Sequence, residues 1–353
     1  MTARRTLFAL LLGGIGGGGF AALGLPLPWM LGSMSLCGLI SLSSWRPVGI
    51  SPFVPRPLRS VMLAVLAVML GSSFTPALWS QMHRWSGTLA VLFLAMLFSV
   101  LIGMAYLRRV GRFDRVTAYF ASAPGGINEM VVTGGALGGD ERSIALIHSL
   151  RIILIVFTIP FGFRLMAGIP SPSLLDSMGR INQMQPMDAL VLLAIAVGGS
   201  LLGRWLRFPA ATLTGPLLVS AATHVTGLTS SHLPGELVII AQIVTGAGLG
   251  ARFVGTSWAE LAATVRLSLG STGLLLLISG GAAALAAGLC GVPFGLLLLS
   301  FVPGGIAEMC LIALSLGQDV AFVSTHHVLR VIMVIVAAPA IFRLTKALWI
   351  SSE

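Results

Sequence analysis

The run Pro124-Gly125-Gly126-Ile127-Asn128-Glu129-Met130 returns as Pro303-Gly304-Gly305-Ile306-Ala307-Glu308-Met309, 179 residues later in a chain of 353. The correspondence continues without a gap from residues 124–165 against 303–344, with 17 identities in 42 positions. Among them are Gly138/Gly317, Asp140/Asp319, His148/His327, Arg151/Arg330, Pro160/Pro339 and Arg164/Arg343. A shared apolar composition can align leucine with leucine by chance, but not acid with acid, histidine with histidine and arginine with arginine. The chain is therefore one unit written twice. Upstream, Leu70-Gly71 and Trp79 match Leu249-Gly250 and Trp258 at the same offset, whereas Pro26 and Gly32 match Pro209 and Gly215 at an offset of 183. A four-residue insertion accounts for the change.

With 56% hydrophobic residues, 9% charged residues and a mean hydropathy of +0.98, the composition is that of an all-α polytopic membrane protein. Apolar runs at or near spanning length cover residues 6–23, 27–43, 58–74, 86–106 and 143–165, then 189–206, 210–228, 234–249, 267–289 and 320–344. Two further runs, 116–137 and 294–316, are interrupted by Pro-Gly-Gly. The expected organisation is a first membrane repeat over residues 1–166, a linker over 167–186 and a second repeat over 187–353. The first run follows Arg4-Arg5 as a secretory signal would, but its counterpart at 189–206 is internal, so both read as mature helices. A net charge of +10 suggests nucleic acid in a soluble protein. Here the arginines sit in short loops, which indicates topology and phospholipid contact, with no nucleic-acid partner. Cys37, Cys290 and Cys310 form no paired motif, so neither a disulfide framework nor a metal site is expected.

Loop charge differs between equivalent positions of the halves. Arg46, Arg56 and Arg59 lie between runs two and three, and Arg108, Arg109, Arg112 and Arg115 precede the first broken run. The equivalent loops at 229–233 and 290–293 carry no Lys or Arg, while Arg204 and Arg207 follow the first run of the second half. Under the positive-inside rule, equivalent loops of opposite bias face opposite sides of the membrane, which predicts inverted repeats with a cytoplasmic N-terminus. Inversion needs an odd number of crossings per half. Each half has six apolar segments, so one must not cross. The arms of the Pro-Gly-Gly segment, about nine and about twelve residues, reach only half of a ~30 Å core. The expectation is five transmembrane helices plus one re-entrant or discontinuous helix per half, and the alternative is twelve crossings in parallel repeats.

Helix cannot run smoothly through Pro124, Gly125 and Gly126, or through Pro303, Gly304 and Gly305. Exposed main-chain groups at membrane depth survive only where protein, water or ligand satisfies them, so paired breaks point to a cavity. The second arm starts with its positive dipole end there, which favours an anion or carboxylate. Glu129 and Glu308 fall about three residues into these arms. They either cap their own helices or bind a proton, Na⁺ or a substrate cation. Asn128 is replaced by Ala307, which suggests that the first break contacts ligand more directly. His148 and Arg151, like His327 and Arg330, are spaced i, i+3 and share a helix face. One reading has each arginine ion-paired with Glu129, Glu308, Asp140 or Asp319. The other gives Arg151 or Arg330 a substrate carboxylate and has His148 or His327 titrate near neutral pH. His326 has no repeat counterpart, since Ile147 stands there, and receives no role. The glycines at 13, 14 and 16–19 read as close helix packing.

The motifs Pro28-Trp29-Met30-Leu31-Gly32, Ala123-Pro124-Gly125-Gly126-Ile127-Asn128-Glu129-Met130, Thr214-Gly215-Pro216 and Val302-Pro303-Gly304-Gly305-Ile306-Ala307-Glu308-Met309 carry a resemblance to the AbrB-type integral membrane family. In that family an AbrB duplication domain of this length occurs twice. The resemblance implies labels such as regulator of gene expression or ammonia monooxygenase. Neither follows from the residues: the six histidines are scattered apart from His326-His327, and no segment supplies a soluble base-reading module.

These features predict a non-enzymatic secondary transporter in the bacterial inner membrane, moving a small anionic metabolite with H⁺ or Na⁺ by alternating access. No cofactor is expected beyond the coupling ion. The expected partners are the bilayer and a small solute, with a homodimer left open. The alternative is a membrane sensor acting on gene expression through a solute or a partner.

Overall fold

The computed structural model describes residues 2–43, 50–79, 85–167, 178–255 and 258–350. Arg46 and residues 168–177 of the expected linker lie outside the described residues. The described chain is helical: α1 (Thr2–Ala22), α2 (Pro28–Leu42), α3 (Arg56–Gly71), the single turn α4 (Pro76–Trp79), α5 (Ser86–Arg109), α6 (Arg115–Ser122), α7 (Ile127–Ala136), α8 (Glu141–Ala167), α9 (Pro186–Trp205), α10 (Ala211–Val225), α11 (Gly235–Gly250), α12 (Trp258–Cys290), α13 (Phe294–Phe301), α14 (Ile306–Ser315) and α15 (Val320–Ile350). No strand occurs among the described residues. Among the described residues seven helices, α1, α5, α8, α9, α11, α12 and α15, are long and apolar enough to cross a membrane. Together with α2, α3 and α10, of 15, 16 and 15 residues, they make five helices in each half beside its broken segment. The protein is an all-α polytopic membrane protein.

Local signals explain where the helices start. Proline occupies the first turn of α2, α3 and α9, where its missing N–H costs nothing. Asp114 caps α6, its carboxylate accepting from the Thr117 main-chain N–H at 2.9 Å. The duplication is also written into the backbone. Positive φ recurs at matched positions of the halves: Gly24 (60°) and Arg207 (54°), Leu27 (44°) and Ala210 (46°), Arg112 (53°) and Gly291 (67°), Gly138 (93°) and Gly317 (63°). Arg207 thus holds a left-handed conformation that glycine takes in its counterpart, and Gly291 relieves what Arg112 endures.

The helices group into two compact units, and each unit draws on both halves of the sequence. The first comprises residues 1–82, 156–260 and 310–321; the second comprises 83–155, 261–309 and 322–353. Within the first unit, α1 packs on α2 so closely that a methyl group at Gly32 would overlap the Gly16 carbonyl. The second half repeats this contact, with Gly215 against the Gly199 carbonyl. Gly14, Gly18 and Gly19 have no neighbour within 4 Å, so one face of the α1 glycine run is buried against α2 and the other is bare. The halves then exchange contacts: Gly71 of α3 abuts Leu217 and Ser220 of α10, while Gly250 of α11 abuts Met34 and Cys37 of α2. Each of these residues is the repeat equivalent of its opposite number, so the two halves meet reciprocally in this unit.

Candidate functional site

Apart from Asp319, which falls in the first unit, every residue singled out around the two breaks lies in the second unit. The first broken segment folds back on itself. The Asp140 main-chain N–H, just beyond α7, donates to the Thr117 hydroxyl in the first turn of α6 at 2.8 Å. Gly139 faces Val116 and Gly134 faces Phe120. The arms α6 and α7 are therefore antiparallel, with the break at their tip. Asp140 also starts α8, its carboxylate accepting from the Arg142 and Ser143 main-chain N–H groups at 3.1 and 3.3 Å and from the Ser143 hydroxyl at 2.5 Å. The Ser143 hydroxyl bond, more than the two N–H groups, holds this carboxyl below its ordinary value. The duplicated Asp140 is thus a helix start and a hairpin clasp.

The tip has two ends with opposite needs. On the carbonyl side, α6 ends at Ser122 with acceptors that no helical N–H reaches. His148 and Arg151, one turn apart on α8, supply the donors. His148 Nε2 donates to the Phe120 carbonyl at 2.9 Å, and its Nδ1 accepts from the Arg151 guanidinium at 2.8 Å. These two bonds select the neutral Nε2–H tautomer, because a proton on Nδ1 would face the guanidinium. Arg151 reaches the Ser122 and Ala123 carbonyls at 3.4 Å each. A cation against the negative end of a helix is favourable. The second half repeats the plan: His327 Nε2 donates to the Leu299 carbonyl at 2.9 Å, and Arg330 donates to the Val302 and Gly304 carbonyls at 2.9 Å each. Leu299 is the repeat equivalent of Phe120. Both arginines are 2% exposed.

On the N–H side, α7 and α14 begin immediately after Gly126 and Gly305, and Glu129 and Glu308 stand at their third positions. Each carboxylate is folded back onto the glycine that precedes its helix, close enough that a methyl group at Gly126 or Gly305 would overlap it. This is the place that the acidic residue of a capping box takes. The two tips differ in cover. Asn128 is exposed and Glu129 half-buried, whereas Ala307 is 2% and Glu308 6% exposed.

The two breaks are seated on the same pair of long helices. Gly125 abuts Val334 of α15, and Gly304 abuts Ile155 of α8. Val334 and Ile155 are repeat equivalents, each one turn beyond its arginine. Each break thus rests on the helix that follows the other break. Tyr119 strengthens the first seat, its hydroxyl donating to the Ala338 carbonyl at 2.9 Å and its ring packing on Phe342. Among the described residues no three His, Cys, Asp or Glu side chains converge as metal ligands would.

Residues 29–346 match the family described as "Transition state regulatory protein AbrB". The chain belongs to this family. It is 28% identical to the "Putative regulator AbrB" of Escherichia coli (strain K12), over 92% of this chain and 92% of that protein. It is 24% identical to the "Uncharacterized protein YhjN" of Bacillus subtilis (strain 168), over 96% of this chain and 93% of that protein. Both alignments run nearly end to end, so the AbrB-family relationship includes both hairpins and both packing units.

Within this AbrB-family fold, sequence reasoning located the breaks and their flanking His, Arg and Glu residues but not the partners of the arginines. Arg151 takes main-chain carbonyls and His148. The carbonyls lie 28 to 29 residues away in sequence and become neighbours only when α6 folds against α8. His326, which had no role, is fully buried. It stacks on Phe322 at 4.1 Å, bonds the Phe322 carbonyl at 2.8 Å and lies 2.8 Å from the Thr88 hydroxyl.

Proposed function

We propose that this AbrB-family membrane protein is a secondary transporter and not an enzyme, moving a small anionic metabolite with H⁺ or Na⁺ by alternating access. The observation that carries this reading is the pair of helix breaks, whose glycines Gly125 and Gly304 lie in one compact unit, each seated on the long helix that follows the other break. Broken helices expose polar main chain at membrane depth, which favours use as a binding site over inert packing. At each tip the positive end of a helix is held by a single carboxylate, Glu129 or Glu308, which a ligand carboxylate or a coupling cation could engage. The greater exposure of Asn128 and Glu129 favours the first tip as the one that meets solute.

Inverted repeats fit this mechanism, and the first unit supports them. Arg5 near the start of α1 donates to the Ser51 carbonyl and hydroxyl at 3.2 and 2.7 Å, beside the start of α3. Arg204 at the end of α9 lines one cavity with Arg56 at the start of α3. On this reading the equivalent helices α1 and α9 run in opposite directions. Arginine at this end is the basis for placing it, with the N-terminus, on the cytoplasmic side of a bacterial inner membrane.

The test is solute counterflow in liposomes containing only this protein. Substrates would first be selected from organic acids and amino acids by the rise they cause in melting temperature. Exchange of a stabilising solute across these liposomes is the expected result. If no stabilising solute exchanges and a stoichiometric cytoplasmic partner co-purifies, the regulator named in the E. coli relative becomes the better reading.

A further inference from the structure

The first unit holds a groove that the transport reading does not use. It runs between α3 of the first half and α9 of the second, as two adjoining cavities of about 560 and 520 Å³ that share Val65, Leu193 and Ala196. The two ends differ in chemistry. One end is lined by Arg56 and Arg204, with Ser60, Ser200 and Thr212. The other is apolar, walled by Val68, Leu192, Leu233 and Leu237. Both arginines are exposed, and among the described residues neither has a carboxylate or hydrogen-bond partner. Helix direction explains the polarity: α3 starts at Arg56 where α9 is about to end, so both cations fall at the same end.

Two cations with no partner among the described residues, at the mouth of an apolar slot, suit a ligand with an anionic head and a hydrocarbon tail. A free metabolite would leave the slot bare, and a hydrocarbon alone would leave the cations uncompensated. The lipid-facing side chains beside the slot, Val61, Leu193, Val197 and Leu201, are all more than half exposed, which places the groove at the bilayer. Trp205, 78% exposed and next to Arg204, marks the depth at which headgroups lie. We infer that this groove binds one anionic phospholipid, its phosphate between Arg56 and Arg204 and an acyl chain along Val65, Leu193 and Ala196. Basic recesses between membrane helices recognise acidic headgroups in this way, and the bound lipid would bridge the two halves of the chain.

The experiment uses the full chain in detergent, titrated separately with phosphatidylglycerol, phosphatidylcholine of the same acyl chains, and inorganic phosphate. Lipid adducts are counted by native mass spectrometry and stabilisation is read as melting temperature. Phosphatidylglycerol is expected to bind saturably at one per chain, at least tenfold more tightly than phosphatidylcholine, with no stabilisation by inorganic phosphate. Arg56→Gln/Arg204→Gln should remove that preference, Arg56→Lys/Arg204→Lys should retain it, and Arg207→Gln, outside the groove, should leave it intact. Ala196→Phe fills the shared slot and should weaken lipid binding with both charges present. Equal binding of the two lipids, an equal loss in Arg207→Gln, stabilisation by inorganic phosphate alone, or unchanged lipid binding in Ala196→Phe would each overturn the assignment.

Discussion

The Asp140 main-chain N–H donates to the Thr117 hydroxyl across 23 residues, at 2.8 Å. This bond ties the start of α8 to the first turn of α6 and closes the hairpin at the end opposite its glycine tip. Thr117 is 1% exposed whereas Asp140 is exposed, so the bond runs from the surface to a buried acceptor. Thr117→Val keeps the shape and the main-chain cap from Asp114 but removes the acceptor of the Asp140 N–H, at a net cost of about 0.5–1.5 kcal/mol. Denaturant or thermal unfolding in detergent should show this loss, and Thr117→Ser should recover most of it. A valine variant as stable as wild type would mean the clasp contributes nothing.

Asp140 also predicts a pH dependence. Its carboxyl is held below the ordinary value, first by the Ser143 hydroxyl and then by the Arg142 and Ser143 N–H groups. A group whose folded pKa is depressed contributes stability above its unfolded pKa of about 4 and loses it as pH falls through the folded value. The stability gap between wild type and Asp140→Asn should therefore be widest near neutral pH and close in acid. Melting curves from pH 7 down to pH 3 test this. A gap that widened on acidification would contradict the assignment.

The α1–α2 contact discriminates between glycines that look alike in sequence. A methyl group at Gly32 or Gly215 would overlap the carbonyl of Gly16 or Gly199, whereas one at Gly18 meets nothing within 4 Å. Gly32→Ala and Gly215→Ala should each cost roughly 1–3 kcal/mol by forcing the helices apart. Gly18→Ala should be neutral, or stabilising by up to about 1 kcal/mol through helix propensity. Comparing the three melting temperatures decides the matter, and equal shifts would refute the packing account.

These contrasts mark how far the sequence could be read. Pro124, Gly125 and Gly126 announce a helix break because their effect is local, and the 179-residue repeat announces a second break of the same kind. Which face of the glycine run at 13–19 packs was hidden, because it depends on where α2 lies. The partners of Arg151 were hidden for the same reason: charge complementarity suggested an acid, whereas the hairpin delivers main-chain carbonyls at the end of α6. The two compact units were also invisible. A repeat states what is duplicated, and reciprocal contacts such as Gly71–Leu217 and Gly250–Met34 arise only when the halves interleave.

The carboxylates at the hairpin tips separate capping from coupling. Glu129 and Glu308 occupy the same helical position and fold onto the same preceding glycine, so Gln at either site keeps the reach and hydrogen-bonding capacity of a capping-box residue while losing charge. Loss of the helix-dipole interaction at half-buried Glu129 should cost no more than about 1 kcal/mol. At Glu308, 6% exposed, the same loss is offset by removal of a charge from a buried site, so Glu308→Gln should be at least as stable as wild type. If the carboxylates couple transport to an ion, both variants should nevertheless lose the dependence of uptake on Na⁺ or pH. Glu129→Gln should also weaken solute binding more than Glu308→Gln, because only the first tip exposes its polar neighbour Asn128. Paired melting and uptake measurements on both variants separate the two roles: unchanged ion dependence in both would leave Glu129 and Glu308 as helix caps alone.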